Sequence, residues 1–406
     1  MASSSSTSGQ TRRTRIVCIS DTHNSTIKLP KGDVLIHAGD LTNQGSYSEL
    51  YKAIQWLEKA DFEAKIVIAG NHDITLDSSF YQEHGPTFHN KNPQDTTECL
   101  ELLTSSPTIT YLCHGSTKIR LTDPKGPRTE FSVFGSPYSP RNGLWAFAYD
   151  GKAVDLNPSA AQASTDHGSQ ELTAASLWSE IPLDTDILVT HTPPRGNCDV
   201  TLGCPFLKKR LSKVRPRLHV CGHVHPGRGV ERVRWEPGSA GHDVDEYLEA
   251  SVEYWEDPNP DIRSAKLSLV DLTARGDNRA VVFCSSAPST AGMSGGIPSD
   301  GQLLAPYVSC TPLSLQDSER RIVAGPTRLD GQCRLVRPGS GVASGPATLD
   351  DIQLPTSKSQ ESNTSRRGRC ETCIVNCAIV ATNWPHTGGR RYNKPIVVDF
   401  DLPVWA

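Results

Sequence analysis

The chain has 406 residues, 36% hydrophobic and 21% charged, which is enough apolar material for one large core or two ordinary ones. Its formal charge is -4 and no Lys/Arg block runs through an aromatic-rich stretch, which argues against a nucleic-acid-binding module and leaves a nucleotide-sized substrate open. No apolar run is long enough to span a bilayer, no secretory or lipidation signal is visible, and twelve irregularly spaced cysteines make no disulfide framework; the expectation is a soluble cytoplasmic protein with reduced thiols and no membrane partner.

Residues 1–14 are polar and are expected to be disordered. Short β-branched runs that end abruptly in polar residues then recur at 15–20, 33–37, 65–69, 185–190 and 217–221, and each reads as a buried strand. Between the second and third, residues 46–60 read as a helix. Tyr47, Leu50, Tyr51, Ile54 and Leu57 share one face, and Ser46 with Glu49 forms a capping box. Strand, helix, strand implies a crossover within one sheet. Strand-like runs at 118–121 and 130–134 precede a loop over 135–150 rich in Pro, Gly and aromatic residues. After Trp235, the spacing of Val244, Tyr247, Leu248, Val252 and Trp255 predicts a helical extension over 239–256, with an apolar face on the core and acidic residues in solvent. Residues 285–369 are Ser/Pro/Gly-rich with Tyr307 as their only aromatic, and predict a disordered insert. β-branched residues return over 371–382 and 394–402, so residues 370–406 are expected to complete the domain of 15–284 with further strands.

Each early strand ends in a chemically distinctive segment: Asp21-Thr-His23 after the first, Gly39-Asp40 after the second, and Gly70-Asn71-His72-Asp73 after the third. The later strands end in His191 and in Gly222-His223-Val-His225. In an open α/β sheet such residues meet at the carboxyl ends of the strands. Asp21, Asp40, Asn71, His23, His191, His223 and His225 form a mixed oxygen and nitrogen set. That set suits first-row divalent or trivalent ions better than a thiolate site or an all-oxygen calcium site. Seven donors exceed the needs of one zinc-like ion but suit two that share a carboxylate; such a pair clamps a phosphate and generates hydroxide near neutral pH.

These five segments, in this order, resemble the signature of the calcineurin-like metallophosphoesterases. Within that superfamily the chain is similar to the metallophosphoesterase-domain-containing subgroup first known from animal brain, in its fungal form. Supporting segments are Gly135-Ser-Pro-Tyr138, Trp145-Ala-Phe147 and residues 185–194 and 214–225. The resemblance implies an α/β sandwich of two mixed β-sheets flanked by helices. It implies two ions, with Mn, Fe or Zn expected, one held by Asp21, His23 and His225, the other by Asn71, His191 and His223, and Asp40 bridging them. It further implies that His72 stands outside the metal set as transition-state stabiliser or leaving-group acid, oriented by Asp73. The implied activity is hydrolysis of a small phosphoester, with phosphodiesters including cyclic nucleotides favoured. A protein Ser/Thr phosphatase and a non-catalytic nucleotide-binding regulator are the alternatives.

Other features have plainer readings. His219, inside a strand, is expected to be a core residue. A zinc knuckle from Cys370, Cys373, Cys377 and His386 has imperfect spacing, and the basic cluster Lys208, Lys209, Arg210, Lys213, Arg215 and Arg217 reads as a solvated helix face. Arg141 and Arg195 come after strand-end loops and are weak candidates for phosphate contact. No Gly-x-Ser-x-Gly elbow or Walker loop is present, which argues against a serine hydrolase or a nucleoside triphosphatase.

Overall fold

The computed structural model describes residues 10–150, 173–238, 247–274, 283–284, 369–382 and 389–405. In chain order its strands are β1 (Thr11–Ile19), β2 (Val34–Ala38), β3 (Ala64–Ile68), β4 (Ile109–Tyr111), β5 (Gly115–Arg120), β6 (Glu130–Ser136), β7 (Ser139–Pro140), β8 (Ala148–Tyr149), β9 (Ile187–Thr190), β10 (Leu218–Cys221), β11 (Gly229–Pro237), β12 (Tyr247–Trp255), β13 (Ser268–Asp271), β14 (Phe283–Cys284), β15 (Glu371–Asn376) and β16 (Ile396–Pro403). The helices are α1 (Tyr47–Glu58), α2 (Ser78–His89), α3 (Thr96–Thr104), α4 (Ala174–Ser179) and α5 (Pro205–Val214).

Two mixed sheets pack face to face. The first runs β13-β16-β1-β2-β3-β4 and the second β14-β12-β11-β15-β10-β9-β6-β5, with β7 and β8 as a separate pair. Strand alternation explains the layering, because successive side chains point to opposite faces. Ile16, Cys18, Val34, Ile36 and Ile66 of the first sheet meet Val133, Ile187, Val189, Val220 and Val375 of the second in a central core. The intervening residues of the first sheet, Val17, Ile19, Leu35 and Val67, pack outward on α1 and α3. Leu188, Cys221, Val233 and Ile374 of the second do the same against α4 and α5. The four layers are the expected sandwich flanked by helices.

Helix α1 begins where predicted: the Glu49 carboxylate accepts from the Ser46 backbone N–H (2.9 Å) and hydroxyl (2.8 Å). Its buried face is Leu50, Ala53, Ile54 and Leu57. Each such aliphatic side chain contributes about 1.5–3 kcal/mol when removed from water. Tyr47 and Tyr51, expected on that face, are instead exposed and stack on each other with centroids 6.2 Å apart.

Three expectations change. The helical extension over 239–256 is a strand across its described residues, because β12 pairs antiparallel with the free edge of β11 and brings Glu253 against Arg232 and Arg234. A register shift between Arg234 and Trp235 accommodates the extra residue, Ala250. Edge pairing supplies backbone hydrogen-bond partners that a lone helix would not need, and it overrides the local spacing. Disorder does not extend through residue 14, since Thr11 onward pairs with β16. Nor does it extend through Arg369, whose guanidinium binds the Thr185 carbonyl (2.7 Å) and Asp186 (2.6 Å). The expected disorder of 285–368 lies outside the described residues.

β15 and β16 are interior strands. β15 sits between β10, with which it is parallel, and β11; β16 sits between β1, with which it is antiparallel, and β13. His219 is fully buried in β10 with Nε2 2.7 Å from Thr190 Oγ1, and Cys373 lies buried in β15. The basic cluster is not a uniformly solvated face: Arg215 is buried and stacks on Tyr247, and Lys208 contacts Asn197 and Glu249. Among the described residues no helix is long and apolar enough to cross a membrane.

Candidate metal centre

The parallel run β1, β2, β3 delivers its strand ends to one edge, and β9 and β10 of the second sheet end at the same place. The chain turns sharply there. Asp21 (φ 52°), His23 (φ 43°), Asp40 (φ 54°) and His223 (φ 64°) all adopt left-handed backbone, at a cost of about 1–3 kcal/mol each. Such strain concentrates where side chains must be aimed at a common point. Gly39 has φ +93°, and a Cβ there would lie 2.6 Å from both the Ala69 carbonyl and His191 Nδ1. A Cβ on Gly222 would collide with the Asp21 carboxylate.

All seven predicted donors come together. Donor atoms of Asp21, His23 and His225 lie within 4.8 Å of one another, as do those of Asp21, Asp40 and His191. Asn71 Oδ1 is 2.9 Å from His191 Nε2 and 2.8 Å from His223 Nδ1. Asp40 Oδ2 is 3.4 Å from His191 Nε2 and 3.7 Å from His23 Nε2, so it stands between the two groups. Asp21 accepts from the Ser20 hydroxyl (2.6 Å) and the His223 backbone N–H (3.0 Å), and its Oδ1 is 3.3 Å from His225 Nε2.

Ring orientation is set by backbone carbonyls, which can only accept. His23 Nδ1 donates to the Thr42 carbonyl (3.1 Å) and His191 Nδ1 to the Ala38 carbonyl (2.9 Å). In the neutral rings Nε2 is then a lone pair, and those lone pairs face His225 Nε2 at 3.4 Å, Asp40 and Asn71. A buried contact between such groups needs either a proton or a metal ion, and these residues fit metal ions on that ground. The titration behaviour agrees. Burial alone would raise Asp21, yet the hydrogen bond and charge of His225 bring it to about 2. Burial alone would lower His191, yet Asp40 raises it to about 9. Burial holds His23 and His223 down to about 3. Without metal, a proton on His191 offsets carboxylate charge, and Asp21 raises His225 against its burial; ligation would take the place of such protons.

His72 lies beside the donors. One of its ring nitrogens lies within 4.8 Å of donor atoms of His23 and Asp40, so it adjoins the donor cluster rather than standing clear of it. Its backbone N–H donates to Asp40 (2.8 Å), its Nδ1 to the Asn43 carbonyl (2.8 Å), and Trp145 packs on its ring with centroids 3.9 Å apart. Asp73 does not orient this ring. It is fully buried and accepts from the backbone N–H groups of Leu41 (3.2 Å), Thr42 (2.9 Å) and Gly70 (2.9 Å) and from the Thr42 hydroxyl (2.7 Å), tying the second donor turn to the third. Three neighbouring backbone donors make turn bracing the role its geometry allows. Arg141 is committed to an exposed pair with Asp150 (2.7 Å).

Sequence reasoning missed Asn43, Thr42 and Ala38, which act through main-chain carbonyls that carry no side-chain signal. It also missed Arg390, which donates to the His23 carbonyl (2.9 Å) and to Asn43 Oδ1 (3.1 Å).

A family model described as calcineurin-like phosphoesterase matches residues 14–227, more than half of the chain. The probable rhamnogalacturonate lyase C of Emericella nidulans is 40% identical over 225 residues, 55% of this chain and 18% of that one. Metallophosphoesterase domain-containing protein 1 of Homo sapiens is 36% identical over 233 residues, 53% of this chain and 62% of that one. A UPF0046 protein of Caenorhabditis elegans, C25E10.12, is 30% identical over 232 residues, 54% of this chain and 71% of that one. The alignments with the first two thus span less than two thirds of those relatives' length.

Proposed function

Because the chain belongs to the calcineurin-like phosphoesterase family, we propose that it is a metal-dependent hydrolase of small phosphodiesters, cyclic nucleotides among them, working with two metal ions. The observation that carries this reading is the convergence of seven oxygen and nitrogen donors from both sheets, with the rings of His23 and His191 fixed by backbone carbonyls so that their Nε2 atoms are aimed into the cluster. Asp21, His23 and His225 would hold one ion, Asn71, His191 and His223 the other, and Asp40 would touch both. Bound there, the ions supply Lewis acidity toward phosphoryl oxygens and nucleophilic water at neutral pH.

The chain's own residues complete the site. The Nδ1 hydrogen of His72 is committed to Asn43, so a proton passed to a leaving oxygen must come from Nε2. Trp145 covers one face of His72 and shields it from water. Asp73 keeps the turns of Asp40 and Asn71 at fixed separation, which is pre-organisation rather than proton transfer.

The test is turnover of bis(p-nitrophenyl) phosphate, a phosphopeptide, and 2',3'- and 3',5'-cyclic nucleotides by metal-reconstituted protein. Metal-dependent cleavage of diesters above the phosphopeptide is expected. A preference for the phosphopeptide would make the chain a protein phosphatase, and metal binding with no turnover of any ester would make it a regulator.

A further inference from the structure

Arg390 joins the backbone of a donor residue, His23, to the residue that holds His72. Its Nη1 binds the His23 carbonyl and its Nη2 binds Asn43 Oδ1, so the guanidinium spans the turns after β1 and β2, the first carrying His23 and the second holding, through the Asn43 carbonyl, the His72 ring that meets His23 edge to face at 4.8 Å. The segment presenting it is braced. Asn393 donates from its backbone to Ile379 (2.7 Å) and from its side chain to Ala378 (3.0 Å), Ala381 donates to the Arg391 carbonyl (2.8 Å), and the Tyr392 hydroxyl lies 3.1 Å from Ser25 Oγ.

The charge of Arg390 is what needs explaining. The half-buried arginines Arg15, Arg228 and Arg369 face Asp399, Asp257 and Asp186 respectively. Among the described residues no carboxylate lies within ion-pair distance of Arg390, and its two acceptors are neutral oxygens. Those two bonds use two of the five N–H donors of a guanidinium. A half-buried cation with spare donors and no counter-ion among the described residues, bound to the backbone of a residue of the donor cluster, is suited to an incoming anion.

We infer that Arg390 contacts the substrate, its spare N–H donors binding a non-bridging oxygen of the phosphoester. This rests on the phosphoesterase reading above, so the experiment separates the two. Arg390→Gln keeps N–H donors for the His23 and Asn43 oxygens but loses the charge; Arg390→Lys keeps the charge but loses the planar fork. In metal-loaded protein, Arg390→Gln should raise KM for bis(p-nitrophenyl) phosphate and the inhibition constant of inorganic phosphate about tenfold or more. It should leave kcat within about threefold, on the expectation that the contact forms equally in ground and transition states. Metal content and melting temperature should match the unaltered protein, the ionic-strength dependence of KM should flatten, and Arg390→Lys should recover part of the phosphate affinity. Unchanged KM and phosphate inhibition would overturn the inference. So would a joint fall in metal content, melting temperature and kcat at constant KM, which would mark a structural brace. Calorimetric titration with inorganic phosphate decides the matter without turnover. Were the unaltered protein inert toward every ester, the phosphoesterase reading would fall, while phosphate binding lost in Arg390→Gln would still support an anion contact. Phosphate binding equal in both proteins, or absent from both, would overturn it.

Discussion

In the first sheet the donor turns brace one another, whereas in the second the donor turns, joined by the bond from the Gly222 backbone N–H to the His191 carbonyl (3.0 Å), also lean on the first. Asp21, Asp40, Asn71 and His23 come just after β1, β2 and β3, and the ring of His23 and the second and third turns find supports in the same sheet: Thr42 for His23, Asn43 for His72, and Asp73 for the turns of Leu41, Thr42 and Gly70. The second sheet contributes imidazoles only. His191 is aimed by the Ala38 carbonyl and His223 is tethered through its backbone to Asp21, both groups of the first sheet. All the negative charge of the centre therefore lies on one wall, and the opposite wall closes against it. Damage to the charged wall should disable the whole centre, and damage away from it should be graded.

The comparison breaks most severely at Asp40→Asn. Losing the carboxylate between the two donor groups should reduce bound metal, read by elemental analysis, and bring turnover to background. His72→Ala comes next, with kcat falling on the order of 100-fold while metal content stays near that of the unaltered protein. A variant that lost its metals would make His72 a ligand instead, an outcome its place beside His23 and Asp40 makes worth measuring.

The third test sets a buried residue of the second sheet against acid. Burial pushes His219 down to about 3 from its ordinary value of 6.5, so the folded state favours the neutral ring and the unfolded chain takes the proton first. The stability this confers is complete above about pH 6.5 and is lost as pH falls toward 3, at about 1.4 kcal/mol per pH unit. Chemical denaturation between pH 7 and 5 should show His219→Gln losing less stability than the unaltered protein. The smallest effect is expected at the far edge of the second sheet. Glu253→Gln, which weakens the pairs with Arg232 and Arg234, should cost about 0.5 kcal/mol and leave metal content and turnover unchanged.

The site is legible in the sequence because its donors come directly after apolar runs, so each strand prediction carries a ligand prediction with it. β2 and β3 end within a few residues of Asp40 and Asn71, and no long-range contact has to be guessed. What stays hidden has two physical origins. The first is backbone chemistry: the carbonyls that fix the rings of His23, His72 and His191 belong to Thr42, Asn43 and Ala38, whose side chains announce nothing. Asp73 takes its apparent role from its neighbour His72, although three backbone N–H groups are its actual partners. The second is tertiary context. Tyr247, Leu248, Val252 and Trp255 satisfy a helical spacing, and only the open edge of β11 makes that segment a strand. Arg390 lies far along the chain from the turns it joins, so neither spacing nor composition can associate them.

The placement of β15 and β16 has a consequence for biosynthesis. β1 leaves the ribosome long before β16, which covers one of its edges, with Thr11 opposite Pro403 and Cys18 opposite Ile396. The turn of Asp21 waits as well: Ser20 donates to the Cys377 carbonyl (3.2 Å) and Ile379 donates to the Ser20 carbonyl (2.9 Å), contacts supplied by the residues just after β15. At about 5–20 residues per second the interval lasts on the order of tens of seconds, during which an apolar strand edge is open to chaperones or to another nascent chain. A message cut short before β15 would thus yield a chain that carries every predicted metal donor and still lacks the clamp around the first of them.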